Sequence, residues 1–539
     1  MITQKIEETF TSTKDSICAI AHGGMVSTAF PDATRAGVRL LENGGNAIDA
    51  AAAAALALCV CEPQASGIGG QSSALIHFGG KSLFLDGSGT IPKLYRNNQV
   101  TAADMQVGYK GTTVPTTLSL LHSMHASYGT LPWADIVTPA YDLAKNGYNI
   151  TQLQQDLLER ERELFTSIPN RSAQKYFYKN GENPYEAGDL FVQSELADVL
   201  DQVRRYGIKG FYQGDVALAI DKDMRTNGGF LRKEDLAQEP VPIERNALKS
   251  IVFGKEIVTT TPPSQGRLLL MALHLAEHLQ KQEGRLQSPE RLALLADFLY
   301  EVYRDRMENP IFPDQYTLEN DHALSDPRFM QYLYESILTR SEQPRVLDQL
   351  QGGETTHLSV MDDKGNAVGV TQSVNMVYGS KTAAEGLGFI YNNYMIDSYQ
   401  LPEDHPNAPV PGGCAPTSIA PFIIFENNKP WLIAGSPGSQ RIVTALTQFL
   451  VHVLGAGMSI DRAVAMPRIH CEQYKQIMLE EGGFERSTLS ALEQLGYTVK
   501  EKPTFYVGAI HAILRCQHSD CFQGVADLRR DGIAAGPKP

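Results

Sequence analysis

The sequence predicts an α+β protein. Helical patterns with Gly/Pro punctuation dominate from about residue 114 to 307, strand patterns concentrate after residue 355, and a strongly apolar helical run lies ahead of both. At 539 residues the chain has the length of about three or four ordinary domains, or of one large α/β-type unit with a sizeable core.

Taken in order, ATRAGVRLLENGGNAIDAAAAAALALCV (33–60) reads as two helices broken at Gly44-Gly45. The second is capped near Asn46 and apolar nearly all round to Cys61, hence buried. The strongest apolar run, Ala50 to Cys61, is about half of what a bilayer span needs and stops at Glu62-Pro63, so no membrane helix is expected. SSALIHFGGKSLFLDG (72–87) alternates as a hairpin over Gly79-Gly80. A polar approach from residue 341 leads into a second hairpin at Thr355. Further strands are expected at 387–391, 419–425 and 431–434, a helix at about 440–454, and a long surface loop at 406–416. Internal repeats and low-complexity tracts are absent.

Forty-seven Lys and Arg stand against 61 Asp and Glu, a net charge of −14, which disfavours nucleic-acid backbones and anionic membranes as partners. Seven cysteines without CxxC spacing point to reduced thiols rather than a disulfide frame. The first 24 residues show no apolar core behind their charges, so a cytoplasmic location is expected. His122 and His125 share a helical face but lack carboxylate or Cys company, and no metal or other cofactor is expected.

Two glycine-rich stretches differ in context. Gly67 to Gly70 follow a helix and precede a strand, the reverse of a dinucleotide-binding loop. AGSPGSQRIV (434–443) runs from strand through turn to helix, where backbone N–H groups can hold an oxyanion. In the hairpin GGETTHLSVMDDKGNAVGVTQSVN (352–375), a turn at Lys364 and Gly365 brings Thr355 opposite Ser373 or Val374. Period two then puts Thr355, His357 and Ser359 on one face, with Thr371, Ser373 and Asn375 beside them.

Nine ordered segments carry a resemblance over nearly the whole chain: LLENGGNAIDAAAAAALAL, EPQASGIGG, YGTLPWADIVTPAYDLAKNGY, GFYQGDVA, TTPPSQG, the Thr355 hairpin, GFIYNNYMIDS, AGSPGSQRI and VADLRRDG. Together they resemble the γ-glutamyltranspeptidase family of N-terminal-nucleophile hydrolases. The resemblance implies a four-layer αββα sandwich made as a precursor and cut between Glu354 and Thr355. The large chain 1–354 and small chain 355–539 would remain halves of one catalytic unit. Thr355 would be the nucleophile, its freed α-amine, with a pKa of about 7.7–8.0, serving as base. Ser373 replaces a Thr that hydrogen-bonds the nucleophile, Gly438 matches one oxyanion glycine, and Ser439 replaces the other. Asn375 and Asp397 match residues that grip the substrate α-amino group, and Thr417 and Ser418 match a pair of serines. The plain alternatives are that Asn375 satisfies strand-end backbone and Asp397 caps a turn.

Two departures bear on substrate. Tyr394 stands where a Gln or Glu helps to hold the amine, and Ser88 stands where an Arg holds the α-carboxylate. Losing an Arg–carboxylate contact of about 1.5–3 kcal/mol would disfavour glutathione unless another Arg reaches in, with Arg35 and Arg96 nearest in sequence. The expected activity is acyl-enzyme cleavage of a γ-glutamyl compound or related small acyl amide, by hydrolysis or transfer. The alternatives are a non-glutamyl amidohydrolase acting on an oxamate-like or cephalosporin-like amide, and a catalytically silent small-molecule binding protein. A homo-oligomer is left open.

Overall fold

The computed structural model describes residues 18–538 except 239, 284–288, 310, 312–315, 317–325, 340–352, 404, 406 and 517–519. Two seven-stranded antiparallel sheets lie face to face. One runs Ile533–Ala535, Gly24–Thr28, Glu354–Asp362, Ala367–Asn375, Gln71–Phe78, Lys81–Gly87 and Ile243–Asn246. The other runs Cys18–Ala21, Phe522–Ala526, His511–Arg515, Lys429–Gly435, Phe422–Glu426, Lys255–Thr259 and Leu248–Val252. Met25, Leu75, Val258, Met361, Ile423, Ile433 and Ile513 fill the space between them. Helices Pro31–Glu42 and Ala47–Cys61 cover the outer face of the first sheet, and Gly266–Glu283 and Arg441–Leu450 that of the second. The result is the four-layer αββα sandwich that the resemblance implied. Each sheet takes strands from both sides of residue 354, so neither segment builds a sheet alone.

Local chemistry explains most elements. The Asn46 side chain accepts from the N–H groups of Ile48 and Asp49 while Asp49 accepts from Asn46 N–H at 2.9 Å, a capping box that starts the apolar helix. Every residue of Ala47–Cys61 is buried. Gly79 and Gly80 both have positive φ, the geometry a tight two-residue hairpin needs. The helix Arg441–Leu450 continues as a wider turn over Val451–Gly455, so the expected 440–454 element is in place.

Three expectations need correction. The stretch 243–259 holds three strands inside a region read as helical; Ile243–Asn246 and Leu248–Val252 are sheet edges with mostly exposed residues, which weakens their apolar signal. Residues 387–391 form no strand beyond an isolated Ala383–Ile390 bridge; their apolar run reflects burial under the Gly67–Gly70 turn. Cys516 and Cys521 are disulfide-bonded, Cα atoms 5.5 Å apart, whereas Cys18, Cys59, Cys61 and Cys471 are free thiols. Among the described residues no helix is long and apolar enough to cross a membrane.

Candidate active site

The Thr355 hairpin forms in the expected register with one irregularity. Glu354 pairs with Asn375 and Thr356 with Gln372, so the partner strand carries an extra residue and Thr355 faces both Ser373 and Val374. Such a bulge locally disrupts the ladder and re-aims side chains, and here it falls at the expected cleavage site. A methyl group on Gly70 would collide with the Ser373 carbonyl oxygen, and one on Gly69 with that of Ile390. Backbone approach, rather than cofactor binding, accounts for the glycines of that turn.

The polar face holds together as period two requires. His357 Nδ1 meets Thr371 Oγ1 at 2.8 Å, its Nε2 meets Ser359 Oγ at 3.0 Å, and Ser359 Oγ donates to the His511 carbonyl at 3.0 Å. Burial pushes the His357 pKa well down, so the ring is neutral. Ser359 ties the two sheets together, and the His357 ring offers no general base.

Around the Glu354–Thr355 bond the chain is held at two main-chain carbonyls and one side chain. Ser373 Oγ donates to the Glu354 carbonyl and accepts from Asn375 N–H at 2.7 Å. The buried Glu354 carboxylate pairs with Arg530, and Arg441 Nη2 donates to the Gly353 carbonyl at 3.3 Å. Thr355 itself is 6% exposed. The polar approach at 341–352 lies outside the described residues.

Beyond the strand Lys429–Gly435 the turn takes the expected form. Gly438 has φ 124° and Ser439 φ 52°, and among the described residues neither N–H finds an acceptor. Two free N–H groups at the head of a helix are what an oxyanion requires. Only glycine adopts the Gly438 conformation readily, and Ser439 is strained where the family pattern has glycine.

The substrate residues divide. Asn375 Nδ2 donates to Asp397 Oδ2 at 3.2 Å, which joins the two amine-gripping candidates. Burial pushes the Asp397 pKa up to about 7, against the attraction of Arg306 and the Asn375 hydrogen bond. The Tyr394 hydroxyl interacts with Ser373 and Gln71, with its pKa raised by burial, so it leans on the Ser373 side of the site rather than on Asp397. Ser88 gives both its N–H (3.1 Å) and its hydroxyl (2.6 Å) to Asp86, whose carboxylate pairs with Arg245 at 2.9 Å. It is committed elsewhere. Thr417 is buried, and its carbonyl accepts from Gln265 Nε2 at 3.1 Å.

Neither expected substitute guanidinium reaches the site. Arg35 is exposed on Asp32, and Arg96 bonds the carbonyls of Lys93 and Tyr95. Arg306, near the end of helix Pro289–Glu308, does reach it: Nη1 donates to Ser418 Oγ at 3.1 Å and to Gln440 Oε1. Arg306, Ser418, Ser439 and Gln440 line a small open cleft together with Tyr303 and Thr444. Sequence reasoning missed this residue because YRDRMENP reads as one more charged helical face. Of the two histidines on one helical face, His122 and His125, the second bonds the Leu131 carbonyl at 2.8 Å, and among the described residues no metal-holding cluster exists.

An αββα sandwich with a threonine opposite a hydroxyl partner, and a free N–H pair on a strand-to-helix turn, defines an N-terminal-nucleophile hydrolase. The family model described as "Gamma-glutamyltranspeptidase" matches residues 33–537, and the chain belongs to that family. The chain is 29% identical to the glutathione hydrolase proenzyme of Escherichia coli (strain K12), covering 96% of this chain and 92% of that protein. It is also 29% identical to the acylase ACY 1 proenzyme of Pseudomonas sp. (strain V22), covering 94% and 92%. Among solved structures, the cephalosporin acylase from Bacillus halodurans superposes with a TM-score of 0.86 at 25% identity, covering 97% of each chain. Equal identity to a glutathione hydrolase and to an acylase leaves the acyl group to be decided by the site.

Proposed function

We propose that this chain is the precursor of an amidase that cuts itself between Glu354 and Thr355 and then acts through Thr355 as an N-terminal nucleophile. The observation that carries this reading is the Ser373 hydrogen bond to the Glu354 carbonyl, beside a threonine seated in a bulge. In the precursor, Thr355 Oγ adds to the Glu354 carbonyl carbon, whose oxygen is already polarised by Ser373. The C–N bond breaks as the nitrogen takes up a proton, leaving an ester on Thr355 Oγ. Water hydrolyses that ester, giving the Glu354 carboxylate and a free Thr355 amine.

In the mature enzyme the neutral amine takes the Thr355 hydroxyl proton, the hydroxyl oxygen adds to the substrate amide carbon, and the Gly438 and Ser439 N–H groups receive the oxyanion. Loss of the amine leaving group gives an acyl-enzyme, which water or a second amine resolves. Asn375, Asp397, Thr417 and Ser418 are the residues proposed to hold the acyl group, with Tyr394 steadying Ser373. A cytoplasmic location belongs to the proposal and is supported by the unoxidised thiols of Cys18, Cys59, Cys61 and Cys471; recovery of native protein outside the cytoplasm with Cys516–Cys521 oxidised overturns it.

Denaturing electrophoresis of purified protein tests the processing step. Two chains, 1–354 and 355–539, with Thr at the small chain's N-terminus, are the expected result, and Thr355→Ala should stay uncut. A wild-type chain that stays intact on prolonged incubation overturns both the processing and the catalytic reading.

A further inference from the structure

We infer that Glu62 takes over Arg530 from Glu354 when the chain is cut, so that Glu62 is the positioning residue beneath the strand that carries the mature nucleophile. This rests on the self-cleavage reading above and deepens it.

The three groups meet on one side of the first sheet. Leu358 and Val360 of the strand Glu354–Asp362 pack in the same core as helix Ala47–Cys61, and alternation puts Glu354 and Thr356 on that face too. Glu62 caps the C-terminal end of that helix, and Arg530 comes from the segment between Phe522–Ala526 and Ile533–Ala535. All three are buried. Arg530 commits one nitrogen, Nη2, to the Glu354 carboxylate. Its Nε and Nη1, and the Oε2 of Glu62, are buried and make no hydrogen bond among the described residues. The guanidinium and the Thr356 hydroxyl are near enough to Glu62 to favour its ionised form, yet among the described residues no ion pair joins Glu62 to Arg530.

One guanidinium therefore faces two carboxylates. Burial, together with the charges of Glu354 and Asp531, pushes Glu62 up to about 8 and keeps it protonated in the uncut chain at neutral pH. Asp531 already accepts from Thr151 Oγ1 at 2.7 Å. The remaining titratable neighbours, Cys61 and Tyr148, are held protonated by burial. Glu62 is thus the acid with an unused oxygen near unused guanidinium N–H groups.

Cleavage breaks the existing pair. During self-cleavage the Glu354 carbonyl carbon is carried on Thr355 Oγ, the place that a substrate acyl carbon must take, so the cut end has to leave before turnover. The carboxylate that pairs with Arg530 goes with it, and a buried guanidinium without a counter-charge is costly. Glu62 then gives its proton to water, and its carboxylate accepts from Nε and Nη1 of Arg530. Arg530 keeps its place under the strand instead of following Glu354 out.

The test follows one substitution in two forms of the protein. In the uncut Thr355→Ala chain, Glu62→Gln replaces one neutral group by another and should shift the melting temperature by less than about 1 °C. In the processed enzyme the same change removes the counter-charge of Arg530 and should lower the melting temperature by at least about 3 °C. Equal shifts in the two forms overturn the handover, because a merely structural Glu62 would act alike in both. If Glu62→Gln is not processed, infrared spectra decide. The protonated-carboxyl band that Glu62→Gln removes from Thr355→Ala should be missing from the processed wild type, and its persistence there overturns the handover. Denaturing gels run before melting separate the two readings. A wild-type chain that stays uncut overturns self-cleavage and the handover with it, whereas a processed wild type without the contrast overturns the handover alone.

Discussion

The Ser373 hydroxyl donates to the main-chain carbonyl of Glu354, the residue just before the proposed nucleophile, and not to the nucleophile itself. In the uncut chain Ser373 therefore acts on the electrophile. Ser373→Ala should slow self-cleavage at least about tenfold, and Ser373→Thr should retain it, because the hydroxyl and not the carbon skeleton polarises the carbonyl. The lost acceptor also strands the buried Asn375 N–H, at a cost of about 1–3 kcal/mol. A time course on denaturing gels and a melting curve measure the two effects; unchanged cleavage in Ser373→Ala removes Ser373 from the mechanism.

Glu354 and Arg530 form a buried pair beside the same bond, with Glu62 close by and pushed up to about 8 by burial. Deleting one partner leaves the other's charge uncompensated. Arg530→Met should lower stability by about 3–5 kcal/mol and slow processing, and adding Glu354→Gln should restore part of the stability. Urea unfolding of the two single variants and the double variant gives the coupling; strictly additive losses would show that the pair does not hold the scissile segment.

Ser439 sits at φ 52°, where a side chain is strained by about 1–2 kcal/mol. Ser439→Gly should raise stability by up to about 1 kcal/mol, part of the relief being offset by the greater freedom of glycine in the unfolded chain. Turnover should be kept, since the N–H is a backbone donor. A variant that loses turnover would mean that the serine hydroxyl, rather than the turn, serves the site.

Much of this was legible in the sequence for identifiable reasons. Strict alternation and the turn at Lys364-Gly365 fixed which side chains of the Thr355 hairpin share a face, and the strand-turn-helix order at 434–443 marked the oxyanion turn. The bulge was not legible, because it depends on a local shift in pairing that leaves the alternation of side chains intact on either side. Arg306 and Arg530 were not legible as site residues because each lies far from the hairpin in sequence, Arg306 in a charged stretch that looks like solvated surface and Arg530 in a segment whose partner the sequence does not name, and only the packing of both sheets brings them in. Short edge strands at 243–252 were lost for the opposite reason: with little to bury, they carry little pattern.

Asp397 gives the site a pH dependence whose sign can be worked out. Burial raises its pKa to about 7 from an ordinary 3.8, so the folded protein keeps a proton that the unfolded chain releases at lower pH. The stabilising contribution is fully present below about pH 4, declines as pH rises, and is lost above about pH 7. Wild type should therefore lose stability relative to Asp397→Asn between pH 5 and pH 8 by at least about 1 kcal/mol, as urea unfolding at the two pH values would measure. Binding runs the other way. An ammonium on the acyl group needs the ionised carboxylate, so KM for an α-amino acyl anilide should fall as pH rises through about 7. The same acyl group lacking its amine should show no such fall, and neither should Asp397→Asn. The Thr355 amine must also be neutral to act as base, which adds a rise in kcat near its own pKa of about 7.7–8.0. The two limbs separate because one lies in KM and depends on the substrate amine, while the other lies in kcat for every substrate. A KM profile that is flat across pH 6–8 for the α-amino acyl compound would remove Asp397 from the amine site.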